Sequence, residues 1–346
     1  MTSSHGASTA DPALAAVLDA YGLTPSAARV LPGGMENLHV HASTAHGPVV
    51  ITQLRKKDTA AAEEYARFLH RLEQADIPAP RLRRRRDGGW VTSHAGHPVI
   101  VCGYLPGRHH PVLPPHLVED VGTVLGRVHR TVPAPDATLA PHLRLTGPEE
   151  ELLADLPDTP FARWARATHR AVAHVSEQSG PRVAVHADVF PDNVIVTDRG
   201  EAVLIDWEDG SADLPVVDVG MAVIGLCCPS TGFSVRRARR LLRGYRTGSG
   251  IVLDPALVRD AALHAAVLVA LRRYQWRQEG HLPADPSRSH TVLARTARDL
   301  DQRWPEGGGG GGPPPPPPPP PAPPPPQNGP PTHPPHRRLQ RKHPNH

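Results

Sequence analysis

Residues 183–206 constrain the fold most. They read Val-Ala-Val-His186-Ala-Asp188-Val-Phe-Pro-Asp-Asn193-Val-Ile-Val-Thr-Asp-Arg-Gly-Glu-Ala-Val-Leu-Ile-Asp206. Residues 194–197 and 202–205 are short β-rich runs, and Asp198-Arg199-Gly200 between them is a turn signal, so the pair predicts a hairpin. That hairpin brings Asn193, just before its first strand, near Asp206, just after its second, with Asp188 in the loop leading in. The surroundings are helical. Leu117, Val121, Val124, Leu125 and Val128 make one apolar stripe after Pro114, and further helices are expected at roughly 160–178, 234–246 and 255–278. Glu149, Glu150 and Glu151 suit the start of another helix, where they oppose its dipole.

Earlier in the chain strands dominate. Asp11-Pro12 fits an N-cap followed by Pro at the first helical position, opening a short helix to about Tyr21. Residues 28–54 read as a hairpin containing the β-rich Val49-Val50-Ile51. Asp58 caps a helix with Tyr65, Phe68, Leu69 and Leu72 at helical spacing, ended by Ile77-Pro78. A strand pair follows around Trp90-Val91 and Pro98–Val101, and Leu105-Pro106-Gly107 closes this part. The prediction is an α+β chain: 10–104 mainly β with one packed helix, 105–306 mainly α, and 307–346 a Gly/Pro-rich basic tail. That tail has almost nothing apolar to bury and is expected to be disordered, although proline runs can also dock aromatic grooves of partner modules.

Composition excludes several classes. The formal charge of +4 is misleading, because no acidic residue follows Glu306 whereas Arg337, Arg338, Arg341 and Lys342 do; the remaining 34 basic residues equal the 34 acidic ones. A nucleic-acid-binding body would carry a basic surplus. No run of about 20 apolar residues suits a membrane span. The three cysteines, Cys102, Cys227 and Cys228, fit neither a disulfide framework nor a cysteine metal site. With no export signal at the start, the expected compartment is the cytoplasm.

A carboxylate and an amide oxygen at the two ends of one hairpin suit Mg²⁺, a hard cation that completes its shell with phosphate oxygens and water. Asn193 and Asp206 are therefore the candidate metal ligands, and Asp188 is free to orient or deprotonate an incoming hydroxyl. Phosphoryl transfer needs little else beyond positioning and charge neutralisation. The spacing His-x-Asp-x-x-x-x-Asn is also that of the protein-kinase catalytic loop. Upstream, Leu31-Pro32-Gly33-Gly34-Met35-Glu36-Asn37 sits between two β runs, as a phosphate-covering turn should.

On these residues the chain, over roughly 25–280, resembles the aminoglycoside phosphotransferase and choline kinase superfamily, whose fold is a protein-kinase-like pair of lobes. Gly33-Gly34-Met35-Glu36-Asn37 and His186 to Asn193 look nearest to type II homoserine kinases, and Gly122, Leu125, Gly126 and His129 resemble the first long helix of the second lobe. The resemblance implies that Asp188 is catalytic, that Asp218 braces the catalytic loop, and that His186 packs and hydrogen-bonds without acid–base work. It implies ATP, or GTP, as donor and a small hydroxylated metabolite as acceptor. Where many members carry a phosphate-binding lysine, this chain has Thr52, as type II homoserine kinases also do. Arg55 or Lys56 is then the candidate replacement charge, and Glu63 or Glu64 the helical partner carboxylate. Trp207-Glu208 departs from the Phe-Tyr of those kinases, a change expected beside the acceptor pocket.

The expected function is phosphorylation of a homoserine-like amino acid, an aminoglycoside or an amino sugar. The alternatives are a nucleotide-binding pseudokinase, motivated by Thr52, and an interaction protein acting through the proline tail. Arg83 to Arg86 read as a solvated hairpin end. His39 and His41 share a strand face without a third metal ligand. Arg272, Arg273, Tyr274 and Trp276 lie on a late helix whose default role is packing.

Overall fold

A computed structural model describes residues 12–31, 37–135, 143–145, 147–280 and 289–305. Its first part is a five-stranded antiparallel sheet in the order β1-β2-β3-β5-β4. The strands are β1 (Pro25–Val30), β2 (Leu38–Thr44), β3 (Val49–Gln53), β4 (Thr92–His94) and β5 (His97–Gly103). Residues 28–54 thus form parts of three strands where the sequence predicts one hairpin. β1 is a largely exposed edge without the alternation that marks a strand. The second pair begins at Thr92, just beyond Trp90-Val91.

Period-two alternation assigns the two sheet faces. Val40, Ala42, Val49, Ile51, Val99 and Val101 point to one side and bury Val17, Leu18 and Tyr21 at the end of α1 (Pro12–Ala20). Ile100 and Cys102 point to the other side, against α2 (Thr59–Gln74) with its Phe68, Leu69 and Leu72. Asp58 caps α2 as expected, accepting the Ala61 N–H at 2.8 Å. This second core does not stop at the end of the sheet; it continues into the helical part through Leu117, Val121 and Trp207. The arginine run is spent locally: Arg84 lies over Trp90 at 4.6 Å, Arg85 pairs with Asp87 at 2.7 Å and Arg86 with Asp19 at 3.1 Å.

The second part contains α3 (Pro115–Thr131), α4 (Gly147–Asp155), α5 (Pro160–Val172), α6 (His174–Glu177), α7 (Pro215–Leu226), α8 (Val235–Ser249), α9 (Pro255–Gln278) and α10 (His290–Arg303). Between α6 and α7 lie β6 (Val183–Val185), β7 (Val194–Val196), β8 (Ala202–Leu204) and β9 (Ser211–Asp213). β7 and β8 form the expected hairpin, and β6 pairs antiparallel with β9. Among the described residues no helix is long and apolar enough to cross a membrane.

α3 and α8 approach closely enough for their backbones to touch. Gly122 and Gly126 on α3 face Leu241 and Tyr245, and Gly244 and Gly248 on α8 face Glu119 and Thr123; a Cβ at any of the four would overlap a backbone carbonyl of the partner helix. Each helix contributes two glycines four residues apart, hence on one face.

The close approach seats a buried chain of hydrogen bonds. Tyr245 of α8 meets His129 Nδ1 at 3.1 Å, and His129 Nε2 meets Asp218 Oδ2 at 3.0 Å. Asp218, in the first turns of α7 and fully buried, accepts the backbone N–H groups of His186 and Ala187, both at 2.9 Å. Burial pushes the Asp218 carboxyl up, but the hydrogen bond and charge of His129, together with the bonds from the loop, hold it below the ordinary aspartate range.

Two outcomes test this arrangement. Gly244→Ala should destabilise the protein by about 1–3 kcal/mol, the usual cost of overpacking, read as a lower thermal midpoint. Gly147→Ala, whose added Cβ meets open space, is the control and should leave the midpoint nearly unchanged. Asp218→Asn should cost about 1–3 kcal/mol at neutral pH, as expected when a buried donor loses the carboxylate that accepts it. Because the folded-state pKa of Asp218 is depressed, its contribution is complete above the unfolded-state pKa and vanishes as pH falls through the folded-state pKa. The gap between wild type and variant should therefore close in acid, measured by thermal melts from neutral pH downward.

Candidate active site

The candidate catalytic loop leaves β6 at His186. Ala187 then adopts a left-handed backbone (φ 71°), a conformation that non-glycine residues hold only when their surroundings impose it. The imposing group is Asp218, through the two N–H bonds above. His186 is buried, and burial lowers its pKa. Its Nδ1 accepts the Asp188 N–H at 3.3 Å, and its Nε2 lies 3.0 Å from the Ile205 carbonyl. One imidazole thus ties the start of the loop to the end of β8.

Asn193 sits where the loop becomes β7, and the Ile205 N–H donates to its carbonyl at 3.0 Å, so Asp206 follows directly beside it. The Asn193 amide nitrogen donates to the Asp188 backbone carbonyl at 2.9 Å and to Asp188 Oδ2 at 2.6 Å. With its NH₂ committed to Asp188, the acceptor end of the amide is directed elsewhere. Asp206 is the second non-glycine residue of this site in a left-handed conformation, at φ 61°. Among the described residues no three His, Cys, Asp or Glu side chains form a closed metal cage. A set of one carboxylate and one amide oxygen suits Mg²⁺, which is commonly bound by one or two carboxylates, waters and substrate phosphates. The Asp188 carboxyl is pushed up to about 7 by burial and by the charges of Asp209 and Asp192, opposed by the Asn193 hydrogen bond and by Arg273.

Trp207, expected beside the acceptor pocket, has its side chain in the core. It is fully buried, donates its indole N–H to the Leu204 carbonyl at 2.9 Å, and packs against His186 and edge-on against Phe68 of α2. Glu208 turns toward the sheet. Its carboxylate accepts from the Asn37 amide, and its backbone carbonyl accepts from Lys57 Nζ at 2.9 Å. The Asn37 side-chain oxygen in turn accepts the Arg55 N–H at 3.2 Å.

Asn37 is the described end of the proposed phosphate-covering turn; Gly33, Gly34, Met35 and Glu36 lie outside the described residues. Thr52 lies beside His39, its hydroxyl 3.1 Å from His39 Nδ1. His41 packs edge-on to Tyr104. Glu64 is buried and paired with Arg67 at 2.7 Å and with Arg71, both on its own helix. Glu63 is half-buried and makes no ion pair to β3 among the described residues. The Lys56 ammonium lies over Trp276 at 5.9 Å, while Lys57 reaches the catalytic segment. Sequence reasoning misses Lys57 and the Glu208–Asn37 contact, which joins positions 171 apart in the chain. No local pattern announces such a pairing.

The fold and the loop have counterparts among known proteins. Residues 27–259 match the model of the phosphotransferase enzyme family. The homoserine kinase of Acidiphilium cryptum (strain JF-5) is 29% identical over 286 residues, covering 77% of this chain and 86% of that protein. The homoserine kinase of Pseudomonas aeruginosa (strain LESB58) is 28% identical over 224 residues, covering 63% and 70%. Among solved structures, an amicoumacin kinase in complex with AMP-PNP, Ca²⁺ and Ami superposes with a TM-score of 0.63 at 17% identity, over 86% of this chain and 95% of that one. A spectinomycin phosphotransferase with ADP and spectinomycin gives 0.61 at 15% identity, over 83% and 98%. With a family match spanning two-thirds of its length, from β1 into α9, the chain belongs to the phosphotransferase enzyme family, whose members place a phosphoryl group on a hydroxyl.

Proposed function

We propose that this enzyme transfers the γ-phosphoryl group of ATP to the side-chain hydroxyl of a homoserine-like amino acid in the cytoplasm. The carrying observation is the contact of Asn193 with Asp188, made where β7 and β8 close on Asp206. In one turn of chain it gathers a candidate base and two candidate oxygen ligands. Mg²⁺, when bound at Asn193 and Asp206, neutralises phosphate charge.

In this reading Asp188 orients the acceptor hydroxyl and takes its proton. A carboxylate pushed up to about 7 is a better proton acceptor than an ordinary aspartate. Asn193 fixes that carboxylate by its amide N–H, and Asp218 with His186 holds the loop that carries it. Residues 33–37 cover the phosphates, and Lys57 contributes the positive charge that Thr52 does not. The amino-acid acceptor is favoured over an aminoglycoside by the relatives that carry the name homoserine kinase, and Trp207, being buried core, does not argue against it. The free thiols of Cys102, Cys227 and Cys228 accord with a reducing compartment. A second reading, nucleotide binding without turnover, is motivated by Thr52 and by the absence of an ion pair from Glu63 to β3 among the described residues. The proline tail lies outside the described residues.

Coupled ADP-release measurements with Mg·ATP and hydroxy amino acids separate the readings, since turnover excludes the non-catalytic one. Asp188→Asn, which keeps the shape and removes the carboxylate, should lower turnover by roughly 10²–10⁴-fold. Asp206→Ala should abolish Mg²⁺-dependent nucleotide binding in calorimetry while leaving the thermal midpoint near wild type. Wild-type turnover in the first variant, or wild-type binding in the second, contradicts the assignment.

A further inference from the structure

Two contacts tie the end of the first sheet to the segment that carries Asp206. Asn37, just before β2, donates from its amide to the Glu208 carboxylate, and Lys57, in the segment after β3, donates to the Glu208 carbonyl at 2.9 Å. Lys57 is itself seated over the Tyr65 ring of α2, at 6.0 Å. Asn37 is buried, so both ends of its amide need partners. Its oxygen accepts the Arg55 N–H at 3.2 Å, which turns the NH₂ end toward Glu208.

On the other side of the contact, Glu208 has little freedom. It lies in the 3₁₀ turn Trp207–Asp209, which follows Asp206 directly. Trp207 is locked in the core between His186 and Phe68, so Glu208 stands at a fixed offset from Asp206, a candidate metal ligand. A hydrogen bond from an amide to a carboxylate is charge-assisted and stronger than a neutral one. Here it joins two segments that the chain separates by 171 positions.

We infer that Glu208 is a positioning residue: by gripping Asn37 it holds the start of β2 against the Asp206 segment, in the arrangement in which a nucleotide meets both. The inference rests on the phosphotransfer reading above and adds to it a residue that acts through Asn37 rather than on the phosphates or the metal. The effect is one of populations. A ligand that needs both segments in place binds with an affinity reduced by the fraction of molecules that hold them so. With the contact made, that fraction is high; without it, binding must first bring the segments together.

Calorimetry of the full chain with Mg·AMP-PNP compares wild type with Asn37→Ala, Glu208→Ala, the double alanine variant, Asn37→Asp, and the exchange Asn37→Asp/Glu208→Gln. Thermal midpoints without nucleotide are read in parallel. Each single alanine should weaken binding roughly 10- to 100-fold, as for one lost charge-assisted hydrogen bond. The double variant should be no worse than either, since both changes remove the same contact. Asn37→Asp alone sets two carboxylates against each other and should bind most weakly. In the exchange the new amide donates to the new carboxylate, whose second oxygen can still accept the Arg55 N–H. Binding should then recover most of the loss seen in Asn37→Asp, and this comparison decides even where an alanine variant fails to fold.

Additive losses in the double variant, or an exchange no better than Asn37→Asp alone, overturn the inference. So does tighter binding in Glu208→Ala, the result if that carboxylate merely repels phosphate. Loss of the Mg²⁺ dependence of binding in Glu208→Ala overturns it by making Glu208 a metal ligand. Lower midpoints with unchanged nucleotide affinity reduce the contact to packing and overturn it too. Failure of the wild type to bind Mg·AMP-PNP overturns the phosphotransfer reading and the inference with it.

Discussion

The carboxylate of Asp218 is the point on which the rest of the structure converges. It is fully buried, a costly position for a charge unless every lone pair is occupied. Here it receives two loop N–H groups and an imidazole. These three bonds, together with the one from His129 to Tyr245, join four segments that are distant in sequence: α7, which carries it, the loop that leaves β6, α3 through His129, and α8 through Tyr245. Glycines let α3 and α8 come close enough for that connection to form. The left-handed Ala187, unfavourable alone, is fixed by the acceptor beneath it. Asp188 therefore projects from a backbone that has little freedom to move.

Much of this is legible in the amino-acid sequence. The hairpin at 194–205, its turn, and the adjacency of Asn193 and Asp206 follow from short β runs and a Gly-bearing turn. α2 carries both a cap and a clear stripe. α7 is not legible because Pro215–Leu226 is apolar on every side, so it shows no periodicity, as suits a helix buried all round. β9 is only three residues long, and its pairing with β6 spans nearly thirty positions. α10 has an apolar stripe, but alanines make up half of its buried residues, which weakens the signal.

The departures from expectation at the site have a common physical cause. Sequence order puts Trp207 beside a pocket because it follows a metal-binding candidate, yet the chain turns at Asp206 and drives the indole into the core between His186 and Phe68. The same logic points to Arg55 and Lys56, near the strand end, as the replacement for the absent lysine. Lys57, one residue further on, donates from its ammonium to the Glu208 carbonyl, a contact that the sequence does not indicate. In each case local order in sequence indicates the neighbourhood, and tertiary contacts decide where the side chain goes. Arg272, Arg273 and Tyr274 behave likewise, since these adjacent residues of α9 face Glu149, Phe190 and Phe161 in turn.

These connections brace the one loop that carries Asp188 and Asn193, the residues proposed for phosphoryl transfer. The most direct measurement follows the phosphoryl group itself. Wild-type enzyme is incubated with Mg²⁺, γ-labelled ATP and a hydroxy amino acid, and the label is traced. The expected result is label on the acceptor hydroxyl in wild type and its near-complete loss in Asp188→Asn. Label that stays in ATP, or that appears only as inorganic phosphate with every acceptor, would contradict the assignment of this loop to phosphoryl transfer.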